Sequence, residues 1–97
     1  MALRIEPDGS MVDVFPGDGQ RFTLPELQAQ VGGYIEPVRP LMETEFNGYT
    51  IQTIYVNEEG LLMGLEHNLK ASMIVGKHIV GNALALFQGE QEDEEDE

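Results

Sequence analysis

A set of polar residues in the C-terminal half gives the sequence its candidate binding site. These residues lie at the ends of predicted elements and beside glycines, which let a ligand or another backbone approach closely. Asparagine amides both donate and accept hydrogen bonds, so the set could line a site for a small molecule or a peptide. Its members are Asn57, Glu58, Asn68, Lys70, Ser72 and Asn82. The alternative is ordinary turn chemistry, for which asparagine and glycine are the usual residues.

A second group of residues has the chemistry of phosphate or metal binding without the required spacing. A phosphate-binding loop ending in Gly76-Lys77 needs a glycine five residues earlier and a hydroxyl residue after the lysine, but Ala71 and His78 occupy those positions. His67 and His78, with Glu66, are zinc-type ligands, but no helical spacing relates the histidines and nothing specifies a third ligand. We therefore expect no nucleotide hydrolysis, no metal site and no cofactor.

Carboxylates and serines are the remaining residues with catalytic potential. Glu58 and Glu59 fall in a predicted turn, where solvent screens them. Ser10 and Ser72 have no motif that pairs either one with a base, and the sequence has no cysteine to act as a thiol nucleophile. We therefore expect that the protein is not an enzyme and has no catalytic residues.

Short strands and one capped helix must position the candidate residues. Alternating apolar and polar residues over 2–15 predict a β-hairpin. Thr23-Leu-Pro-Glu26 is a capping box, and it predicts a helix that ends at Gly32-Gly33. Tyr34 to Val38 predicts a strand at the edge of a sheet, because Pro37 has no N–H to donate to a neighbouring strand.

The C-terminal half predicts a long strand followed by shorter elements. In chain order we expect a loop over 41–48, a strand over 49–56, a turn over 57–60, a strand over 61–65, at most two turns of helix over 66–72, and extended segments over 73–75, 79–80 and 82–87. Period-two alternation puts Ile51, Thr53 and Tyr55 on one face of the long strand. The fold class is therefore α+β: a mostly antiparallel sheet of about five to six short strands, one main helix packed on it, and a short second helix as an option.

Negative charge is concentrated at the C-terminus. The chain has eighteen acidic and five basic residues, for a net charge of −13. Residues 90–97 contain seven of the acidic residues and no basic or apolar residue. We expect a single globular domain over 1–89 and a disordered acidic tail over 90–97, which either docks on a basic partner or only keeps the domain soluble. This charge balance argues against direct binding of nucleic acid or of an anionic membrane.

The N-terminus and the apolar runs predict where the protein resides. The first residues lack the hydrophobic stretch of a signal peptide. The longest apolar runs, such as Ala83 to Phe87, are far below the ~20 residues of a membrane helix. We therefore expect a cytoplasmic protein.

Four short stretches occur in a restrictive order: VGGYIE at 31–36, NEEG at 57–60, a loop centred on Asn68, and VGNA at 80–83. Together they resemble a family of small, uncharacterised phage- and plasmid-borne proteins known only as a domain of unknown function. The resemblance implies an accessory protein of a mobile element, acting in the host cell cytoplasm with no assigned reaction. It adds Tyr34 and Glu36 to the candidate ligand- or partner-binding residues.

Two functions remain open from the sequence. The first is a non-enzymatic binding protein that engages a host protein, as a host-factor inhibitor, or a small metabolite. The alternative is an acidic DNA mimic that inhibits a nucleic-acid-binding host protein, for which a net charge of −6 over residues 1–89 is small. A homo-oligomer is compatible with either function, because short edge strands and a small core favour pairing.

Overall fold

An antiparallel sheet with one helix on each face forms the fold. The computed structural model describes residues 2–19 and 21–88, and the backbone of residues 91–92. In chain order the elements are β1 (Ala2–Ile5), β2 (Met11–Val14), β3 (Arg21–Phe22), α1 (Leu24–Val31), β4 (Ile35–Val38), β5 (Glu45–Phe46), β6 (Tyr49–Asn57), α2 (Leu69–Val75), β7 (Ala83–Phe87) and β8 (Gln91–Glu92). The main sheet has the order β2-β1-β7-β6-β4, and β5 also pairs with β6. The α+β prediction is confirmed, and β4 lies at an edge as Pro37 predicts.

The central strand β7 shows why the fold has three layers. All five residues of β7 are buried, and they alternate between two apolar clusters. Leu84 packs in the cluster that contains Leu27 of α1, whereas Ala85 packs in the cluster that contains Ala71 of α2. The two helices therefore cover opposite faces of the sheet. Neither of these helices of the described chain is long and apolar enough to cross a membrane.

A register shift in β6 corrects the predicted orientation of its side chains. The pairing between β6 and β7 shifts between Ile51 and Thr53. Ile51 consequently lies in the α2-side cluster with Ile54, while Tyr55 lies in the α1-side cluster. A bulge inserts one extra residue and moves the following side chains to the opposite face. The prediction that Ile51 and Tyr55 share a face is wrong for this reason.

The segment after β6 also differs from its predicted elements. Residues 61–64 form successive turns and residue 65 is not in a strand, with backbone hydrogen bonds from Met63 N to Glu59 O and from Leu65 N to Gly60 O. Residues 73–75 belong to α2 instead of an extended segment. Helix α2 runs past Ser72 to a left-handed C-cap at Gly76.

A short hairpin interrupts the segment predicted as a loop. Strand β5 pairs with the start of β6 around Asn47 and Gly48, whose φ angles are 52° and 84°. Two consecutive positive φ angles are the requirement of a type I′ turn, which asparagine followed by glycine meets at low steric cost. The sequence therefore contained the signal for this hairpin.

The predicted acidic tail is described only in part. Gln91–Glu92 forms β8, which pairs in parallel with Arg21–Phe22 of β3. The other residues of the segment 90–97 lie outside the described residues.

The start of α1 matches its predicted capping box. Thr23 Oγ1 accepts from Glu26 N at 3.3 Å, and Glu26 Oε1 accepts from Thr23 N at 2.9 Å. Glu26 Oε2 also accepts from Gly17 N at 2.8 Å. The pKa of Glu26 is lowered, because the Thr23 N–H and then the Gly17 N–H donate to its carboxylate.

Two substitutions in this region test the capping and docking of α1. We expect Thr23→Ala to cost about 1 kcal/mol of the free energy of unfolding, the usual loss of an N-cap side chain. Leu27→Ala should cost about 2–5 kcal/mol, because Leu27 is fully buried. Urea denaturation measures both losses. Leu24→Ala is the matched control, since Leu24 is 45% exposed in the same helix, and an equal loss there would contradict the packing.

The lowered pKa of Glu26 predicts a pH dependence of stability. A carboxyl whose pKa falls on folding stabilises the fold above its unfolded pKa, and that contribution disappears as the pH falls through the folded value. We expect the advantage of the unmodified chain over Glu26→Gln to be present at pH 7 and to shrink below the ordinary value of 4.5. Urea midpoints between pH 7 and about pH 3 measure this difference. Glu43→Gln is the control, and a pH-independent difference for Glu26→Gln would refute the prediction.

Candidate functional site

A groove of about 430 Å³ lies beside β4. Its lining consists of Glu36 and Val38 of β4, residues 56–62 at the end of β6 and in the following turn, and residues 77–80 after α2. We call this site the edge groove. Three of the predicted site residues, Glu36, Asn57 and Glu58, line it, and Tyr34 lies next to it, since Tyr34 O accepts from Glu58 N at 2.8 Å.

The side chain of Asn57 fixes the first wall of the edge groove. Its Nδ2 donates to Val31 O at 3.1 Å, and its Oδ1 accepts from Glu59 N at 2.8 Å. A Cβ at Gly33 would lie 2.9 Å from Asn57 Nδ2, so a larger residue there would displace the amide. Asn57 therefore joins the end of α1 to the turn after β6, and it is buried in that role.

The turn held by Asn57 exposes three consecutive apolar side chains. Leu61 is 71% exposed, Leu62 is 89% exposed and Met63 is 53% exposed. Folded domains rarely present consecutive large apolar side chains to water without a binding role. The strand predicted over 61–65 does not place these side chains at the site. A run of three apolar residues directly after a Glu-Glu-Gly turn was the available signal.

Two hydrogen bonds to the backbone of Ile79 fix the second wall of the edge groove, residues 77–80. Ile79 O accepts from Asn68 N at 2.8 Å, and Ile79 N donates to Ser72 Oγ at 2.8 Å. The rings of His67 and His78 stack at the surface, with centroids 4.6 Å apart and planes 12° apart. The loop 77–80 is therefore fixed to the start of α2 and does not depend on a ligand for its conformation.

The two walls carry different charges. Glu36 lies on β4, and Glu58 and Glu59 lie in the turn after β6, while Lys77 and His78 lie across the groove. All five side chains are exposed. Three carboxylates face one lysine here, so this site favours a positively charged ligand group beside an apolar one.

Asn68 lies away from the groove and is completely buried. Its Nδ2 donates to Ile5 O and to Gly81 O, both at 2.8 Å, and its Oδ1 accepts from Ala71 N at 3.1 Å. Every polar atom of this side chain therefore has a partner within the protein, as the turn-chemistry alternative expects.

Two more candidates, Asn82 and Lys70, also lie outside the groove. Asn82 is half-buried, and its Nδ2 donates to Gln30 O at 3.2 Å. Lys70 is exposed on α2, and its Nζ donates to Gly9 O at 3.0 Å. Of the eight candidate residues, four lie at or next to the edge groove, and the other four, Ser72 among them, bond to other elements.

The structure pairs a serine with a base that the sequence did not pair. Ser72 Oγ on α2 lies 3.2 Å from Nε2 of His67, the residue before the N-cap Asn68. The same hydroxyl accepts from Ile79 N and lies 3.2 Å from Ile79 O, so the backbone already uses it. In the described part of the chain, no group of three or more His, Cys, Asp or Glu side chains is placed to hold a metal ion.

The fold and the edge groove define a small three-layered α+β domain with an open site at one edge of its sheet. Over residues 1–97 the chain matches the family described as Domain of unknown function (DUF3846), and it belongs to that family. No curated protein and no solved structure matches the chain. An origin in phages or plasmids stays a prediction of the sequence.

Substitutions of the buried asparagine test its structural role. Asn68→Asp keeps the acceptor for Ala71 N but turns a carboxylate toward two carbonyl oxygens, Ile5 O and Gly81 O. We expect a loss of at least about 3 kcal/mol in urea denaturation, since a buried charge without a partner is costly. Asn82→Asp, at a half-buried position with a single bond, is the control and should cost about 1 kcal/mol. Equal, small losses would show that Asn68 is accessible to solvent or to a ligand.

Proposed function

We propose that the protein is a non-enzymatic binding protein and that its edge groove engages a segment of another protein. The observation that carries this proposal is the exposed Leu61-Leu62 pair at the rim of the edge groove. The residues that line this groove are already held in place by hydrogen bonds within the protein. A site with clamped walls and exposed apolar side chains suits association, because burial of those side chains stabilises the complex without reorganisation of the protein.

The position of the leucines favours a protein segment over a small metabolite. A small molecule inside the groove would leave Leu62, which is 89% exposed, largely in water. A segment of another protein that runs across the rim of the groove covers Leu61 and Leu62 and reaches the carboxylates of Glu36 and Glu58. Shape therefore selects a ligand longer than the groove.

The charges specify which segment fits. Three glutamates line the groove against one lysine, and the chain as a whole carries −13. Such a field attracts basic partners over a range set by the Debye length, about 8 Å at physiological salt. The proposed ligand is therefore a segment with lysine or arginine next to apolar side chains.

The biological setting of this activity comes from the resemblance. As an accessory protein of a phage or mobile element, the domain would act in the host cytoplasm by covering a basic, apolar surface of a host protein. This role needs no catalytic residue and no cofactor.

A peptide titration tests the proposed site. The probe is a short peptide of alternating lysine and leucine, titrated into the isotopically labelled protein while amide NMR signals are recorded. We expect shifts at Glu36, at 58–62 and at 77–80, and weaker binding of Glu36→Lys and Glu58→Lys by at least about threefold each, as expected for removal of exposed charge pairs. Asp13→Lys is the matched control, because Asp13 is exposed on β2, the opposite edge strand of the sheet.

Other results of the same titration separate the alternatives. Replacement of the peptide's leucines by serine should abolish saturable binding if Leu61 and Leu62 contribute. Equal weakening by all three charge reversals, Asp13→Lys included, would instead support the DNA-mimic alternative, in which the acidic surface acts as a whole. Shifts confined to residues outside the groove would refute the proposed site.

A further inference from the structure

An exposed tyrosine lies beside the edge groove. Tyr34 directly precedes β4, and its side chain is 64% exposed. In the part of the chain that the structure describes, its ring stacks on no other aromatic ring and pairs with no cationic side chain. The face of a tyrosine ring attracts cations, because the π electrons make that face negative. Tyr34 therefore presents a ring face that a cationic group of a ligand can contact.

Strand pairing places one carboxylate on each of two sides of this tyrosine. Tyr34 O accepts from Glu58 N at 2.8 Å, which continues the β4–β6 ladder by one pair. Glu58 therefore lies opposite Tyr34, at the Cα separation of about 5.5 Å that is typical of a hydrogen-bonded pair. Glu36 lies two residues along β4, about 7 Å away. We call Tyr34, Glu36 and Glu58 the Tyr34 cluster.

The alternation of β4 puts the Tyr34 cluster on the side of the edge groove. Ile35 packs against the α1-side cluster, whereas Val38 lies in the α2-side cluster. Tyr34 and Glu36 alternate with Ile35 and so share the face of Val38. Because Glu36 and Val38 both line the edge groove, a segment bound in the groove passes next to the ring of Tyr34.

Hydrogen bonds within the protein fix the backbone on both sides of the Tyr34 cluster. Asn57 Nδ2 donates to Val31 O at 3.1 Å, and Asn57 Oδ1 accepts from Glu59 N at 2.8 Å. Gly33 lets the two segments approach closely, since a Cβ there would lie 2.9 Å from Asn57 Nδ2. A ligand therefore needs to order only exposed side chains, which lowers the entropic cost of binding.

The two carboxylates of the Tyr34 cluster are free to pair with a ligand. Among the described residues, no side chain forms an ion pair or a hydrogen bond with the carboxylate of Glu36 or of Glu58. Lys77, which lines the opposite wall, is not within ion-pair distance of either. The negative charge beside the ring is thus not neutralised by the protein itself.

We propose that the Tyr34 cluster binds an arginine side chain of the partner segment. A guanidinium group is planar, so one face stacks on a tyrosine ring while the N–H groups at its edge donate to carboxylates. The ammonium group of lysine is a compact, strongly hydrated charge without such a face. This subsite rests on the proposed function, because the edge groove must hold the rest of the segment. Leu61 and Leu62 then contact the apolar neighbours of that arginine.

Three peptides that differ in one type of side chain test the preference for arginine. They alternate leucine with arginine, lysine or citrulline, the uncharged isostere of arginine, and each is titrated into the isotopically labelled full chain while NMR signals are recorded. We expect the arginine peptide to bind at least about threefold more tightly than the lysine peptide, as for one exposed cation–π contact. The citrulline peptide should bind more weakly than either. Nuclear Overhauser contacts between the arginine side chain and the Tyr34 ring identify the contact directly.

Variants of Tyr34 show whether its ring causes the preference. We expect Tyr34→Leu to reduce the ratio of arginine-peptide to lysine-peptide affinity to about one, and Tyr34→Phe to retain the preference because it keeps the ring. Tyr49→Leu is the matched control. Tyr49 is 57% exposed, but its ring lies beside Phe87, with centroids 6.0 Å apart, so its loss should leave the ratio unchanged. Melting curves check that each variant is folded.

The possible results separate this subsite from the proposed function. Equal affinities of the arginine and lysine peptides, with shifts at 58–62, would overturn the arginine subsite and leave the proposed function standing. A preference for arginine that persists in Tyr34→Leu would also overturn the subsite alone. The absence of saturable binding by both peptides would overturn the proposed function, and the subsite with it.

Discussion

The buried amide of Asn68 is the interaction on which the arrangement of elements depends. It donates to the last residue of β1 and to Gly81 just before β7, and it caps the first turn of α2. Its bond to Ile5 joins residues 63 positions apart. One uncharged side chain thereby fixes a helix start to the sheet and satisfies carbonyl groups that burial would otherwise leave unpaired. Because Asn68 N also donates to Ile79 O, the same residue sets the wall of the edge groove that it does not itself line.

Asn57 has the corresponding role on the opposite wall. Its amide closes the turn after β6 and reaches back to the end of α1. The two asparagines thus fix the two sides of the edge groove through buried hydrogen bonds. Glutamates and leucines form its exposed surface. The polar residues predicted to form one site have different roles. The asparagine amides stabilise the fold, whereas the glutamate carboxylates are accessible to a ligand. A site of this kind keeps its shape without a ligand, because the supporting groups are satisfied within the protein.

The local signals of the sequence specified the parts of the fold that depend on short-range chemistry. The capping box at Thr23 and the proline in β4 need only neighbouring residues to act, and the structure agrees with both. The bulge after Ile51 has no such signal, because it arises from the fit of β6 against β7. Helix α2 was underestimated for a related reason. Its apolar residues after Ser72 resemble a buried strand, although Asn68 caps the helix at its start and Gly76 caps it at its end. The exposure of Leu61 and Leu62 at the edge groove is not predicted from the sequence, because apolar residues are usually interpreted as part of the core.

A short chain that builds three layers exposes apolar surface in particular places. With 97 residues, the domain covers each face of its sheet with a single helix of two turns, and small domains bury a lower fraction of their surface than large ones. Exposure for that reason alone would be scattered and surrounded by charges of either sign. Both exposed pairs border β4, but Arg39 and Glu43 flank Leu41 and Met42, whereas Leu61 and Leu62 lie beside three glutamates. The same edge strand also has Pro37, whose missing N–H removes a donor to an added strand. Sheet extension is therefore disfavoured at this edge, and Leu61 and Leu62 with their neighbouring glutamates are the side chains that the edge groove presents for association.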